Sequence, residues 1–190
     1  MLLNAPRSLR PLWRASLATC VAFAVVLCTP LDVAATEGTP TPLEVRAAFL
    51  LNLARFVRWP ASGLAEPGRA FVIGYFAGDP IAVPLRQIVQ DESIANHPIQ
   101  LLELRHRTDF NRCNLVYVGD NFGGELARAI ENRRDRPVLF VGNSEALLAV
   151  GGHVQFYQRG SQVRLRISPE NLRTSGLIPN SQLLRVATTR

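Results

Sequence analysis

The side chains that could do chemistry in this 190-residue chain are few, and their spacing speaks against catalysis. His97, His106 and His153 stand far apart, with no His-x-x-x-His pair and no local carboxylate cluster, so neither a zinc centre nor a hydrolytic site has a visible ligand or base set. Ser144 sits in Gly-Asn-Ser-Glu, not in the Gly-x-Ser-x-Gly turn that exposes a nucleophile, and reads as a helix cap. Ser161 and Ser175 read as turn residues. Gly74 and Gly78 flank a strand end as in nucleotide folds, but the third glycine and the phosphate-cradling loop are missing, and close packing accounts for Gly74. The expectation is a protein that is not an enzyme and holds neither metal nor cofactor. A small-molecule pocket at the carboxyl ends of the strands stays open as an alternative.

The best-determined element spans residues 41–60, TPLEVRAAFLLNLARFVRWP. Thr41 can cap a helix, Pro42 fits its first position, and Glu44 stands three residues after the cap, so the first backbone donors are satisfied reciprocally. At about 100° per residue, Glu44, Asn52, Arg55 and Arg58 fall in one arc, while Val45, Phe49, Leu53, Phe56 and Val57 cover the opposite side. Pro60 ends the helix at Trp59, which projects onto the polar arc. A tryptophan there either folds under the next loop as an edge of the core or is displayed for a partner.

Residues 1–35 read as an export signal: Arg7, Arg10 and Arg14 make a positive start, residues 16–28 are apolar, and Val33-Ala34-Ala35 offers small residues for cleavage. Residues 36–41 then form a short tail, and residues 42–190 a single domain with a core of its own. From Thr36 onward there are 18 arginines, no lysine and 14 acidic residues, a mild positive excess. The arginines are scattered apart from Arg133, Arg134 and Arg136, which excludes a nucleic-acid footprint. Cys20 and Cys28 leave with the signal, so Cys113 has no partner for an internal disulfide; its place before Leu115-Val116-Tyr117-Val118 predicts burial at the start of a core strand, with pairing to another chain as the alternative.

The domain alternates strand and helix. Residues 61–69 form a loop by their Ser, Gly and Pro content; Phe71–Phe76 is a buried strand; Gly78-Asp79-Pro80 turns into a helix over 81–90. Strands follow at 99–104, 115–118 and 137–141, with a helix over 125–132. Residues 153–157 and 163–167 alternate apolar and polar around Arg159-Gly160, a hairpin with Arg164 and Arg166 on its wet face. A short helix from Pro169, a stop at Gly176 and a helix over 180–187 with Leu183 and Leu184 in the core complete the chain. The fold class is α/β: a three-layer sandwich with a mostly parallel central sheet and a C-terminal antiparallel hairpin.

The stretch Ala47-Ala48-Phe49-Leu50-Leu51-Asn52-Leu53-Ala54-Arg55-Phe56-Val57-Arg58-Trp59-Pro60 resembles the opening signature of the YfiR family, Ala-Ala-Phe-Leu-x-Asn-Phe-x-x-Phe-x-x-Trp-Pro. The resemblance continues in Ile73-Gly74 with Asp79-Pro80, in Cys113, in Pro137-Val138-Leu139 and in residues 176–187, GLIPNSQLLRVA. Gly123-Gly124-Glu125-Leu126 also resembles a piece of the diguanylate cyclase signature, but the second acid of that signature is missing and a turn into a helix is the better reading. Family resemblance implies a periplasmic regulator that binds the periplasmic domain of an inner-membrane diguanylate cyclase of the YfiN type and lowers cyclic-di-GMP output, relieved by an outer-membrane lipoprotein of the YfiB type. Two partners' worth of alternatives accompany it: a homodimer, and a small-ligand-binding subunit of a sensor kinase or transporter.

Two surfaces are expected to carry partner binding. One is the end of the first helix, with Arg55, Arg58 and Trp59; the other is the hairpin face and its exit, with Arg164, Arg166, Ser168 and Leu177. The family's usual Asn stands here as Ser168, its Ile-Ser-Ser as Pro179-Asn180-Ser181, and the strand position near Gly74 that could pair with Cys113 carries no thiol.

Overall fold

The computed structural model describes residues 38–61, 64, 68–106, 109–131 and 137–189. The export signal with Cys20 and Cys28, and the group Arg133, Arg134 and Arg136, lie outside the described residues.

Helix α1 (Pro42–Phe56) begins as its sequence dictates. The Glu44 N–H donates to Thr41 Oγ1 at 3.2 Å, and the Thr41 N–H donates to Glu44 Oε2 at 2.7 Å. These bonds favour the charged carboxylate and hold Glu44 below its ordinary pKa. The buried face of the helix is Ala47, Leu50, Leu51, Leu53 and Ala54, whereas Val45, Phe49 and Phe56 are only half-buried. The helical arc assigned from sequence was rotated because alanines 47 and 54, weak as hydrophobic markers, are the residues that let the helix approach the sheet closely.

The chain leaves α1 at Phe56 and extends as β1 (Val57–Arg58), which pairs antiparallel with β9 (Ile178–Pro179) in a separate two-stranded sheet. Arg58 therefore lies on a strand and not on the helix.

Among the described residues eight strands form the main sheet: β2 (Phe71–Phe76), β3 (Ser93–Ile94), β4 (His97–Leu104), β5 (Leu115–Gly119), β6 (Leu139–Gly142), β7 (Val154–Arg159), β8 (Gln162–Ile167) and β10 (Thr188–Thr189). Their order is β10-β8-β7-β6-β5-β2-β4-β3. From β4 through β7 every neighbour is parallel, and β7 and β8 make the antiparallel hairpin. Its turn is Gly160-Ser161, with Gly160 at φ +62°, the first turn position where a two-residue hairpin takes glycine. Strand β2 lies between β4 and β5, so the crossover direction reverses beside it, and its carboxyl end is the topological switch point.

Helices α2 (Ala82–Ile88), α5 (Pro169–Thr174) and α6 (Ser181–Val186) pack with α1 on one face, where Ile73, Tyr117, Phe156 and Leu165 meet Leu50, Leu85, Leu172 and Leu183. On the other face, Leu126 and Ile130 of α3 (Gly124–Glu131) and Leu147 of α4 (Ala146–Ala149) cover Cys113, Val116, Val118 and Phe140. Strand residues thus divide by parity between two cores, as a sheet buried on both faces requires. The α/β three-layer architecture and the terminal hairpin are those expected from the sequence.

Close approach fixes one glycine. A Cβ on Gly74 would lie 2.6 Å from Cys113 Sγ, so the fully buried thiol occupies the space a side chain would need. Asn114 ties the strand starts together: its Oδ1 accepts from the Val72 N–H at 2.9 Å and its carbonyl accepts from the Leu139 N–H at 2.8 Å.

Candidate partner-binding surface

A helix end leaves its last carbonyls without intrahelical donors. In α1 the Leu53 carbonyl accepts from the Val57 N–H, the Ala54 carbonyl from Trp59 Nε1 at 2.9 Å, and the Phe56 carbonyl from the Asn180 N–H at 2.9 Å. Trp59 is thus a C-terminal cap. It is 8% exposed and meets the Phe71 ring edge-on at 5.0 Å. The expectation of Trp59 at an exposed end is corrected and the core-edge alternative is the one found: the indole donor needs a buried acceptor, and the last turn of α1 supplies one at Ala54.

Arg55 is exposed and ion-paired with Glu92 beyond α2. Arg58 is exposed and faces Ile178 across the β1–β9 pair. Ile178 is 54% exposed, and Leu184, expected in the core, is 42% exposed because the short α6 turns only Leu183 inward. Leu177 is fully buried, its N–H donating to the Leu172 carbonyl at 2.8 Å. Ser168 is buried and caps α5, its Oγ accepting from the Asn171 N–H at 3.3 Å. So the structure brings the end of α1 against the segment after α5, with Trp59 and Leu177 buried, while Ser168 is buried at the start of α5. The β1–β9 pair that joins them has two residues per strand, too short to leave a pattern in the sequence.

Arg164 and Arg166 stand on the wet face of β8, away from that junction in the chain's hydrogen-bond network. Arg166 is held three ways: to Gln155 Oε1 at 3.2 Å, to Glu145 Oε1 at 3.2 Å, and over the Tyr157 ring at 5.1 Å. Arg164 is exposed and donates to Gln162 Oε1 at 2.6 Å, a neighbour on its own strand. Of the two, Arg164 is the one whose guanidinium can be redirected at small cost, since exposed side-chain contacts contribute little.

The switch point gathers groups that sequence reasoning did not single out. Asp79 follows β2, Asp120 follows β5, and Asn143 follows β6; Asn143 Nδ2 donates to Asp120 Oδ1 at 2.9 Å, and Tyr117 Oη donates to Asn143 Oδ1 at 3.3 Å. Burial raises the Asp79 pKa, opposed by the Ile81 N–H that donates to its carboxylate at 2.9 Å and reinforced by the Asp120 charge. Burial likewise raises Tyr117, with Asp79 adding to the shift. Arg46 of α1 pulls both down, yet its Nε is buried without a hydrogen-bond partner among the described residues. The signal available in the sequence was the recurrence of an Asp or Asn one to three residues past β2, β5 and β6.

His153 bridges layers: its Nδ1 accepts from the Phe140 N–H at 3.0 Å, which leaves the proton on Nε2 to donate to Ser175 Oγ at 2.9 Å. Ser144 Oγ accepts from the Ala146 N–H at 3.3 Å, a bond within the turn that leads into α4. Among the described residues no three or more His, Cys, Asp or Glu side chains are grouped to hold a metal ion, and no helix is long and apolar enough to cross a membrane.

No curated protein matches the chain. Among solved structures, a conserved domain protein from Vibrio cholerae O1 biovar El Tor is similar at 15% identity and a TM-score of 0.47, over 78% of this chain and 60% of that one. The profile of a family described as YfiR/HmsC-like matches residues 43–188, from the second residue of α1 to the first of β10, and on that match the chain belongs to the YfiR/HmsC-like family.

Proposed function

We propose that this protein is a non-catalytic periplasmic regulator that binds the periplasmic sensor domain of an inner-membrane diguanylate cyclase and represses cyclic-di-GMP synthesis, restraining biofilm and exopolysaccharide production. Family membership across residues 43–188 carries this reading. In it, residues 1–35 direct export and are removed near Ala35, residues 36–41 are a short tail, and residues 42–190 are the binding domain. An outer-membrane lipoprotein of the YfiB type competes for the regulator and releases the cyclase.

Arg58 and Arg164 are the contact residues, being exposed and not committed to a carboxylate. Arg55 and Arg166 exchange their present ion pairs for the partner's carboxylates, while Trp59, Ser168 and Leu177 hold the backbone in place. Repression requires differential affinity: driving a sensor from 99:1 in favour of its active state to 1:99 needs about a 10⁴-fold preference for the inactive state. Equal affinity would shift nothing.

The test is capture from solubilised inner membranes by the mature protein, with mass-spectrometric identification, beside cellular cyclic-di-GMP in strains carrying Arg58→Ala or Arg164→Ala. Recovery of a diguanylate cyclase and a rise in cyclic-di-GMP with both folded variants are expected. Recovery of a sensor kinase or transporter in place of a cyclase would refute the pathway.

A second reading, a small-ligand sensor subunit, draws on the buried, unbonded Arg46 Nε beside half-buried Asp79 at the switch point. It predicts thermal stabilisation by an anion-bearing metabolite, about 2.7 kcal/mol at a hundredfold excess over Kd.

A further inference from the structure

The hairpin β7–β8 has a defined hydrogen-bond parity. Its two-residue turn makes Arg159 and Gln162 the closing hydrogen-bonded pair, and the Ser168 N–H donates to the His153 carbonyl at 2.9 Å at the far end. Gln162, Arg164, Arg166 and Ser168 therefore bond to β7, and the backbone groups of Val163 and Leu165 point to the opposite side, the edge of the sheet. Strand β10 covers only the far half of that edge, at Arg166 and Ile167. Along the near half, no strand among the described residues lies on the edge side of Val163, whose register partner, Gln158, is across the hairpin.

This uncovered half opens on a cleft of about 460 Å³. Its one bank is Gln162, Val163 and Arg164, and its other is Thr39, Pro40 and the Val45–Phe49 face of α1. A second hollow of about 420 Å³ continues along α1 past Ala48 to Asn52, sharing Pro40, Val45 and Phe49. The half-buried state of Val45 and Phe49 thus has a location: they floor a groove beside an unpaired strand.

The chemistry of an occupant follows from three constraints. Unpaired N–H and C=O groups in a row call for another extended backbone, the mode of strand addition. Alternate side chains of an added strand would face the core side, over Val45 and Phe49, and must be apolar. The intervening ones would face the wet side, where Arg159 and Arg164 are exposed, and must be acidic. A second copy joined edge to edge would lay two arginine rows side by side, an arrangement that like charges disfavour.

We propose that the near half of β8 receives an extended segment of the partner protein, alternating apolar and acidic, as an added strand along Val163. This inference rests on the reading of the protein as a protein-binding regulator and specifies how the partner is held.

The probe is an eight-residue end-blocked peptide alternating Val and Glu, with a Val and Lys peptide as control, added to the 36–190 protein. Hydrogen exchange of the Val163 amide is expected to slow at least about tenfold with the Val/Glu peptide and not with the control. Arg164→Glu should weaken Val/Glu binding about five- to tenfold and strengthen Val/Lys binding. Val163→Pro removes the edge N–H without touching the β7 ladder, and should abolish both. Unchanged exchange at Val163, equal binding of the two peptides, or a concentration-dependent dimer that protects Val163 without peptide would each overturn the proposal. Capture of a cyclase equally by wild type and Arg164→Glu would overturn this mode of binding and leave the regulator reading standing. Protection by the Val/Glu peptide with no cyclase captured would support the edge site and count against the cyclase.

Discussion

Replacing Trp59 by alanine should produce a stability defect of calculable size. Trp59 is 92% buried, donates to the Ala54 carbonyl in the last turn of α1, and lies edge-on to Phe71. A tryptophan buries at most about 250 Å², which sets an upper bound near 6 kcal/mol at about 25 cal/mol per Å². Measured truncations of large aromatics cost about 3–5 kcal/mol. For a domain of this size about 3 °C accompanies each kcal/mol, so the Tm should fall by about 10–15 °C. Trp59→Phe retains one ring against Phe71 and loses the donor together with the second ring, so its cost exceeds the about 1–2 kcal/mol of the donor alone and stays below that of Trp59→Ala, a Tm fall of more than about 3 °C and less than about 15 °C. The assay is thermal unfolding of the 36–190 protein followed by circular dichroism, with periplasmic protein level measured alongside cyclic-di-GMP. If Trp59→Ala kept its Tm within about 2 °C of wild type while cyclic-di-GMP rose, the capping role would be refuted and the residue returned to the interface.

Three other outcomes are expected. Gly74→Cys should form a disulfide with Cys113: the new Cβ would stand 2.6 Å from its sulfur, so the sulfur must give way slightly before the two bridge; at most about 3–4 kcal/mol of reductant-sensitive stabilisation is expected, and two titratable thiols persisting after oxidation would refute it. Ser168→Ala removes the α5 cap and should cost about 1 kcal/mol, read as a Tm lowered by about 3 °C. Burial raises the Asp79 pKa above 3.8, so just above that pH the folded state holds a proton the unfolded chain has released, and Asp79's contribution to stability falls as pH rises through this window. Asp79→Asn should flatten that part of the pH–stability curve and leave the Tm at pH 7 no lower than wild type; a curve of unaltered slope would refute the assignment.

What the sequence made legible was decided by signal length. The cap of α1 needs only Thr41, Pro42 and Glu44, and the parallel strands β2, β5 and β6 are apolar runs bounded by turn residues. Residues whose role depends on a distant element were not legible. Whether Trp59 edged the core or was displayed was not legible, because its acceptor is a backbone carbonyl, which every residue has and no sequence marks. The β1–β9 and β10 pairings involve two residues each and depend on where the C-terminal segment returns. Leu184 read as core because two adjacent leucines in one and a half helical turns carry no periodicity. Of the candidate surface, the arginines of β8 could be placed on a wet face from alternation alone, whereas the proximity of the α1 end to the segment after Leu177 could not.

The buried sulfur of Cys113 makes the fold its own chronometer. In a protein beginning at Thr36 it is the sole thiol, and it sits at 0% exposure just before β5, under Leu126, Ile130 and Leu147 of the helices on that face. An alkylating reagent can reach it only when that core opens, so the labelling rate counts openings of the α3–α4 layer and is blind to fraying at the hairpin edge or at α6. Such a measurement, made in the periplasm of living cells, would tell whether a partner stabilises the whole domain or merely settles on its rim.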